Sequence, residues 1–172
     1  FDTLERALPD SANEATHQLA LANTRARLRM TTLYYLAGVH GYLVAGTGNK
    51  IEDFGVGFFT KYGDGGVDLS PIADLTKSEV CAVARELGIV QSILDAAPTD
   101  GLFGDSRTDE DQIGASYPEL EWAMDLRDNG GSTEGLSERQ QHVLSIFDKR
   151  RAANRHKMDP IPVCLIPAEL KR

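Results

Sequence analysis

The stretch that most narrows what this chain can fold into runs from Gly46 to Pro71. Before it, Tyr42-Leu43-Val44-Ala45 is short, apolar and partly β-branched or aromatic, and reads as a strand. Gly46-Thr47-Gly48-Asn49 then breaks it. A chain leaving a parallel strand through such a turn does so at the sheet edge where α/β folds place their ligands. Phe58-Phe59-Thr60 reads as buried and leads into a second Gly-rich turn, Gly63-Asp64-Gly65-Gly66; Val67 to Ile72 is then a short extended segment ended by Pro71. The glycines of that turn allow close backbone approach and positive φ. Taken alone, the same turn also suits an ordinary hairpin.

Helical signals surround this core motif. Ser11 and Glu14 stand as a capping box, predicting a long helix from about Ala12 to Ala37 with Gly38 as its stop. Leu19, Ala22, Ala26, Met30, Leu33 and Ala37 share one face of it, while Arg25 and Arg29 lie opposite. Asn49 is placed to cap a short helix running through Glu52. Thr76 and Glu79 form a second capping box, with Val80, Val83, Ala84 and Leu87 as the apolar face of a helix that Gly88 stops. Residues 97–114 show little apolar periodicity and form a loop long enough to be suspected of function. Ser116-Tyr117-Pro118-Glu119 opens a third helix, with Leu120, Ala123, Met124 and Trp122 on its apolar side. A last helix is predicted from about Glu138 to Ala153, with Val143, Ile146 and Phe147 inward; the Pro-rich tail from Asp159 to Pro167 is extended.

With 172 residues, 41% of them apolar, the chain suits a single domain spanning 1–172 with a real core. Its formal net charge of -8 argues against a nucleic-acid binder, which needs a dominant basic face, but leaves room for a nucleotide pocket with a few local cations. Cys81 and Cys164 stand apart from each other and from any metal-ligand spacing, which suits a reducing compartment. No apolar run approaches the roughly 20 residues a bilayer crossing takes. No membrane partner and a cytoplasmic location are therefore the expectations.

Beyond generic spacing, the string from Gly46 to Asp68 closely resembles the ammonia-ligase core of the NAD synthetases, members of the N-type ATP-pyrophosphatase family. The resemblance extends from Asn23 to Pro160. It implies an α/β fold, a doubly wound parallel sheet of the Rossmann-like, adenine nucleotide alpha hydrolase-like type. It implies a C–N ligase that uses ATP to adenylate the nicotinate carboxylate of deamido-NAD and ammonia to displace AMP. By the same resemblance Arg27, Lys61, Asp68, His156 and Lys157 contact deamido-NAD, and Thr47, Lys77 and Thr99 contact ATP. Glu52 matches the acid that binds Mg²⁺, while Lys77 and Asp64 take catalytic positions. Physical chemistry agrees with these types: Arg offers a planar fork to phosphate or carboxylate, and Mg²⁺ wants carboxylate oxygen. A Lys at a helix N-terminus opposes the dipole, so an anion beside Lys77 would rationalise it.

Two departures stand out. Pro98-Thr99-Asp100-Gly101-Leu102 has its acid one place away from the family's pattern, so no role passes to Asp100. Asp109-Glu110-Asp111 reads as a solvated charge cluster with helix-start character rather than a metal site. The family's Ser-Gly-Gly-x-Asp-Ser pyrophosphate loop does not occur in the sequence. The expectation is therefore a C-terminal portion of a longer synthetase, without its N-terminal strands and inactive without that loop. A homodimer using the long helix as a two-fold contact is implied as well. The nitrogen donor, free or glutamine-derived ammonia, stays open. So do two alternatives, a GMP-synthetase-like ATP-pyrophosphatase amidotransferase and a catalytically incomplete nucleotide-binding subunit.

Overall fold

A computed structural model describes residues 1–103 and 105–171. In chain order its α-helices are α1 (Asp2–Glu5), α2 (Glu14–His40), α3 (Lys77–Glu86), α4 (Gln91–Leu94), α5 (Asp109–Ile113), α6 (Tyr117–Asp128) and α7 (Glu138–Met158). A π-helical turn, Ile51–Val56, follows the first Gly-rich turn, and a 3₁₀ turn, Ala168–Leu170, lies near the end.

Local capping fixes most helix starts. Thr76 accepts from the Glu79 N–H while the Glu79 carboxylate accepts from the Thr76 N–H. Glu119 accepts from both the N–H and the hydroxyl of Ser116. At α2 the expected Ser11 start moves to Asn13, whose Oδ1 accepts from the Thr16 N–H at 2.9 Å. The helix also passes through Gly38 and ends at Gly41, which sits at φ 68 in the left-handed region. An isolated helical glycine costs about 1 kcal/mol and does not by itself stop a helix. Likewise α7 continues past Ala153 to Met158, with Pro160 just beyond, so His156 and Lys157 stand inside a helix rather than after one. Residues 97–114 are not all loop, since Thr108 and Asp111 form a capping box that starts α5.

The expected strands shrink to one parallel bridge between Ala45 and Leu69 among the described residues. Gly46 N–H donates to Leu69 at 2.8 Å and Asp68 N–H donates to Val44 at 2.9 Å. The ladder stops there because the Asp68 carboxylate, not a backbone carbonyl, takes the Val44 N–H at 2.8 Å. The second Gly-rich turn also differs from expectation. Its positive φ falls on Tyr62, at 63°, and not on Gly63, Gly65 or Gly66. Gly63 is required for space instead: a Cβ there would lie 2.9 Å from the Ala26 Cβ and 2.8 Å from the Thr60 Cγ2.

The core forms where α6, α7 and the π-helical turn meet. Ile51, Val56, Leu120, Ala123 and Phe147 are sealed from solvent there, with Val143, Leu144, Met124 and Ile113 beside them. The apolar faces read from α2 and α3 are only partly used. Ala22, Ala26 and Ala37 are buried, but Leu19, Leu33, Val83 and Leu87 are exposed. Outward ion pairs tie α6 to α7, through Arg127 to Asp148 and Arg139 to Glu119. The Arg139 guanidinium on Glu119, helped by the Ser116 N–H and hydroxyl, holds its carboxyl down at about 2. That lies below the ordinary value, so the pair stabilises the fold above pH 4.5 and loses that contribution as pH falls towards 2. Glu119→Gln should therefore cost about 1 kcal/mol at pH 7, a figure reduced for solvent exposure, and nothing near pH 2. Urea unfolding at the two pH values checks this, and an equal loss at both would contradict the pairing.

Candidate active site

The site grows out of the Gly46–Asn49 turn. Asn49 is buried and its Oδ1 accepts from the N–H groups of Ile51 and Glu52, at 2.9 and 3.1 Å. This cap turns the chain so that Glu52 enters a cavity of about 670 Å³. The turn then closes at Gly57, φ 64, where a Cβ would lie 2.4 Å from the Asn154 Cβ. Only glycine satisfies both conditions, and it brings the Phe58–Thr60 backbone against α7.

Six elements supply the working side chains. From the first Gly-rich turn and the π-helical turn come Thr47 and Glu52, and from the second Gly-rich turn comes Asp64. Lys77 enters from the first residue of α3, Thr99 from the loop before α5, and Arg150, Asn154 and Lys157 from α7. Lys77 Nζ lies 3.3 Å from Glu52 Oε1 and 4.9 Å from the centre of the Tyr117 ring. The acid partner offsets the poor dipole position of that lysine. Lys157 Nζ donates to the Gly57 and Phe59 carbonyls, at 2.9 and 2.7 Å. Asp64 accepts from the Thr60 N–H at 2.8 Å, and the Thr60 hydroxyl donates to Asn23 at 2.7 Å.

Electrostatics in the cavity are dominated by burial. Desolvation pushes the Asp64 carboxyl up, against its hydrogen bond from Thr60 and the charge of Lys157. It pushes the Lys157 ammonium and the Arg150 guanidinium down. Asp53, behind the cavity against Gly48, is pushed up to about 6 by burial first and then by Glu52 and Asp64. Desolvation followed by the Glu52 charge raises Asp109 as well.

Not every expected residue converges. Thr47, Glu52, Asp64, Lys77, Thr99 and Lys157 line the cavity together. Arg27, Lys61 and His156 form a separate relay beside it: Arg27 Nε donates to the Lys61 carbonyl at 3.2 Å, and Lys61 Nζ donates to the His156 carbonyl. Asp68 stands at the parallel bridge, bound to the Val44 N–H and the Tyr34 hydroxyl. Sequence reasoning missed Asp109, Tyr117, Arg150 and Asn154. For α7 the signal was available, because Arg150, Asn154 and Lys157 repeat at helical spacing and share one face. The reading of Asp109 as a solvated charge is corrected: it is buried, because α5 turns it inward against Tyr117.

A sequence model of the family described as NAD synthase matches residues 2–161. The chain belongs to that family. The NH(3)-dependent NAD(+) synthetase of Carboxydothermus hydrogenoformans is 48% identical over 70% of this chain and 49% of its own length. The enzyme of the same description from Mesoplasma florum is 41% identical over 88% of this chain and 59% of its own. The chain thus spans about half the length of the curated relatives it matches. Among solved structures, NMN synthetase from Francisella tularensis superposes with a TM-score of 0.71 at 30% identity, covering 98% of this chain and 61% of that one. The NH3-dependent NAD synthetase of Campylobacter jejuni gives the same score at 22% identity over 95% of this chain and 61% of its own, which bears on fold alone. The parallel bridge between Ala45 and Leu69, the one bridge among the described residues, belongs to the α/β fold that the chain shares with the NMN and NAD synthetase structures.

Proposed function

We propose that this chain carries the amidating core of an NAD synthetase, which converts the nicotinate carboxylate of deamido-NAD to an amide. The observation that carries the reading is the convergence of Thr47, Glu52, Asp64, Lys77, Thr99 and Lys157 on one cavity in a member of the NAD synthase family. In the first step the substrate carboxylate attacks the α-phosphorus of ATP, and pyrophosphate leaves. In the second, ammonia attacks the acyl carbon, AMP leaves, and a proton is released from nitrogen. Lys77 and Thr99 face the nucleotide, and Lys77 stabilises phosphate charge by position, without having to reorganise during reaction. Asp64, its carboxyl raised by burial, holds the geometry to receive the amine proton. Lys157 presents a desolvated cation to the dinucleotide.

Mg²⁺ belongs to the same proposal. The oxygen donors around Glu52 suit a hard cation, and one buried carboxylate oxygen beside it, Asp109 Oδ1, has no hydrogen-bond partner. Glu52 would hold the ion, which supplies charge neutralisation for the transferring phosphoryl group. Arg27, Lys61 and His156, outside the cavity, would meet the far end of the dinucleotide. Asp68 would act from the bridge, by fixing Val44.

Equilibrium binding tests the reading. Deamido-NAD should bind, and Lys157→Met should weaken it by about 10- to 100-fold, the effect of a charged hydrogen bond worth about 1.5–3 kcal/mol. Unchanged affinity would remove the dinucleotide from this cavity. The likeness to the Francisella protein supports a second reading in which the amidated acid is a mononucleotide, and binding of nicotinate mononucleotide in place of deamido-NAD would select it.

A homodimer forms part of the proposal. Leu33, Tyr35, Leu36 and Val39 leave an exposed apolar stretch on α2, the kind of surface that marks protein contacts when it is contiguous. Light scattering at micromolar concentration should give twice the chain mass, and a monomer would exclude α2 as a two-fold contact.

A further inference from the structure

The loop before α5 departs from the family's pattern at Asp100, and the shifted acid has work in this fold. Asp100 Oδ1 accepts from the Leu102 N–H at 2.9 Å, and Asp100 Oδ2 accepts from Gln112 Nε2 at 3.1 Å. Gly101, between Asp100 and Leu102, sits at φ 61, where a side chain would strain the backbone. An acid reaching two residues on and a glycine at the bend go together, so Asp100 and Gly101 act as a pair. One step earlier, the Asp109 N–H donates to the Pro98 carbonyl at 3.0 Å. Thr99 therefore lies between two fastenings, Pro98 and Asp100, that tie the loop to α5.

The long helix grips the same bend from its other side. Arg25 and Arg29 are one turn apart on α2 and share a face. Arg25 Nη1 donates to the Leu102 carbonyl at 2.8 Å. The Phe1 ring covers that guanidinium, its centre 4.1 Å away, a contact that itself attracts the cation. Arg29 stands beside it, 3.5 and 3.4 Å from the Asp100 and Gly101 carbonyls, distances at which charge does more than direct bonding. Three successive carbonyls thus face two guanidiniums, which stay charged and offer several donors in one plane. Neither arginine lines the main cavity, whereas Pro98, Thr99, Asp100 and Leu102 do. The arginines act on the cavity through the loop.

We propose that Arg25, Arg29 and Asp100 are positioning residues for the nucleotide: together they clip the Pro98–Leu102 bend in place and so hold Thr99 towards the cavity. The inference rests on the reading above only in taking ATP as what Thr99 meets.

Hydrogen exchange and ligand binding on the natural polypeptide that carries this sequence test the clip. In that protein the Leu102 amide should be protected from exchange, a readout that needs no variant. Exchange at the free-peptide rate would overturn the proposal. Arg25→Ala and, from the other side of the bend, Asp100→Ala should each speed that exchange. Each should weaken ATP binding by about 10-fold, the low end of what a hydrogen bond to a charged group is worth. Deamido-NAD affinity should stay as it was, because Lys157 is fixed by the Gly57 and Phe59 carbonyls and not by this loop. Arg25→Lys, which keeps a charged donor, should recover most of the ATP affinity. Equal losses for ATP and deamido-NAD would make the arginine a support of the fold in general. Faster exchange with unchanged ATP affinity would mean that the bend does not serve Thr99. Either result overturns this inference and leaves the function reading standing. A native protein that binds deamido-NAD but no ATP would overturn the nucleotide reading of the cavity, and this role of the clip with it.

Discussion

Lys77→Ala should slow adenylation by about 10²- to 10³-fold, the loss seen when one preorganised charge-stabilising donor leaves an active site. The affinity for deamido-NAD should fall far less. The reason is position. Lys77 Nζ is held at 3.3 Å by Glu52 and lies over the Tyr117 ring, and it lines the cavity with Thr47 and Thr99. Lys157, which would serve the dinucleotide, enters from α7 and is fixed by the Gly57 and Phe59 carbonyls. Removing one cation therefore leaves the other in place. Single-turnover release of pyrophosphate measures the rate, and calorimetry measures deamido-NAD binding. Equal losses in both would show that Lys77 serves binding in general and not the phosphoryl transfer.

Phe147→Ala should lower the unfolding free energy by about 3–5 kcal/mol, the range for emptying a buried aromatic site. Phe147 is sealed from solvent at the meeting of α6, α7 and the π-helical turn. Its ring packs 3.4 Å from where a Cβ on Gly55 would stand, so the cavity would open directly beneath the turn that carries Glu52. The loss should thus reach the site as well: deamido-NAD affinity should fall, although Phe147 does not line the cavity. Phe147→Leu keeps most of the volume and should cost no more than about 1.5 kcal/mol. Chemical denaturation compares the three. Equal stabilities for the alanine and leucine variants would mean that the ring is not the keystone of this core.

What could be read in the sequence was local. Thr76 with Glu79 and Ser116 with Glu119 declare their helices because a cap is settled within four residues. The Gly46–Asn49 turn and the placement of Glu52 after it were legible for the same reason. Errors appear where a distant partner decides. Helix ends favour glycine, which makes Gly38 the expected stop, yet Gly41 supplies the left-handed residue and the Tyr42 N–H closes on the Ala37 carbonyl. The periodicity places His156 and Lys157 after a helix, but α7 runs on to Met158 while Asn154 holds the Val56 carbonyl and packs against Gly57. Asp109 is the largest miss. In the sequence it is one of three consecutive acids, and solvation is the ordinary fate of such a run. It is buried against Tyr117, 8 positions further along, whose hydroxyl also reaches Glu52, 65 positions from Tyr117. No local pattern encodes that meeting.

The family resemblance, by contrast, was carried by long strings and proved sound, since the family match spans residues 2–161. The central claim is tested most directly by supplying deamido-NAD, Mg-ATP and ammonium to the natural polypeptide that carries this sequence, and following NAD. The account predicts NAD, AMP and pyrophosphate in equal amounts, lost together in Lys77→Ala. Formation of no NAD, with nicotinate mononucleotide amidated instead or neither acid consumed, would contradict it.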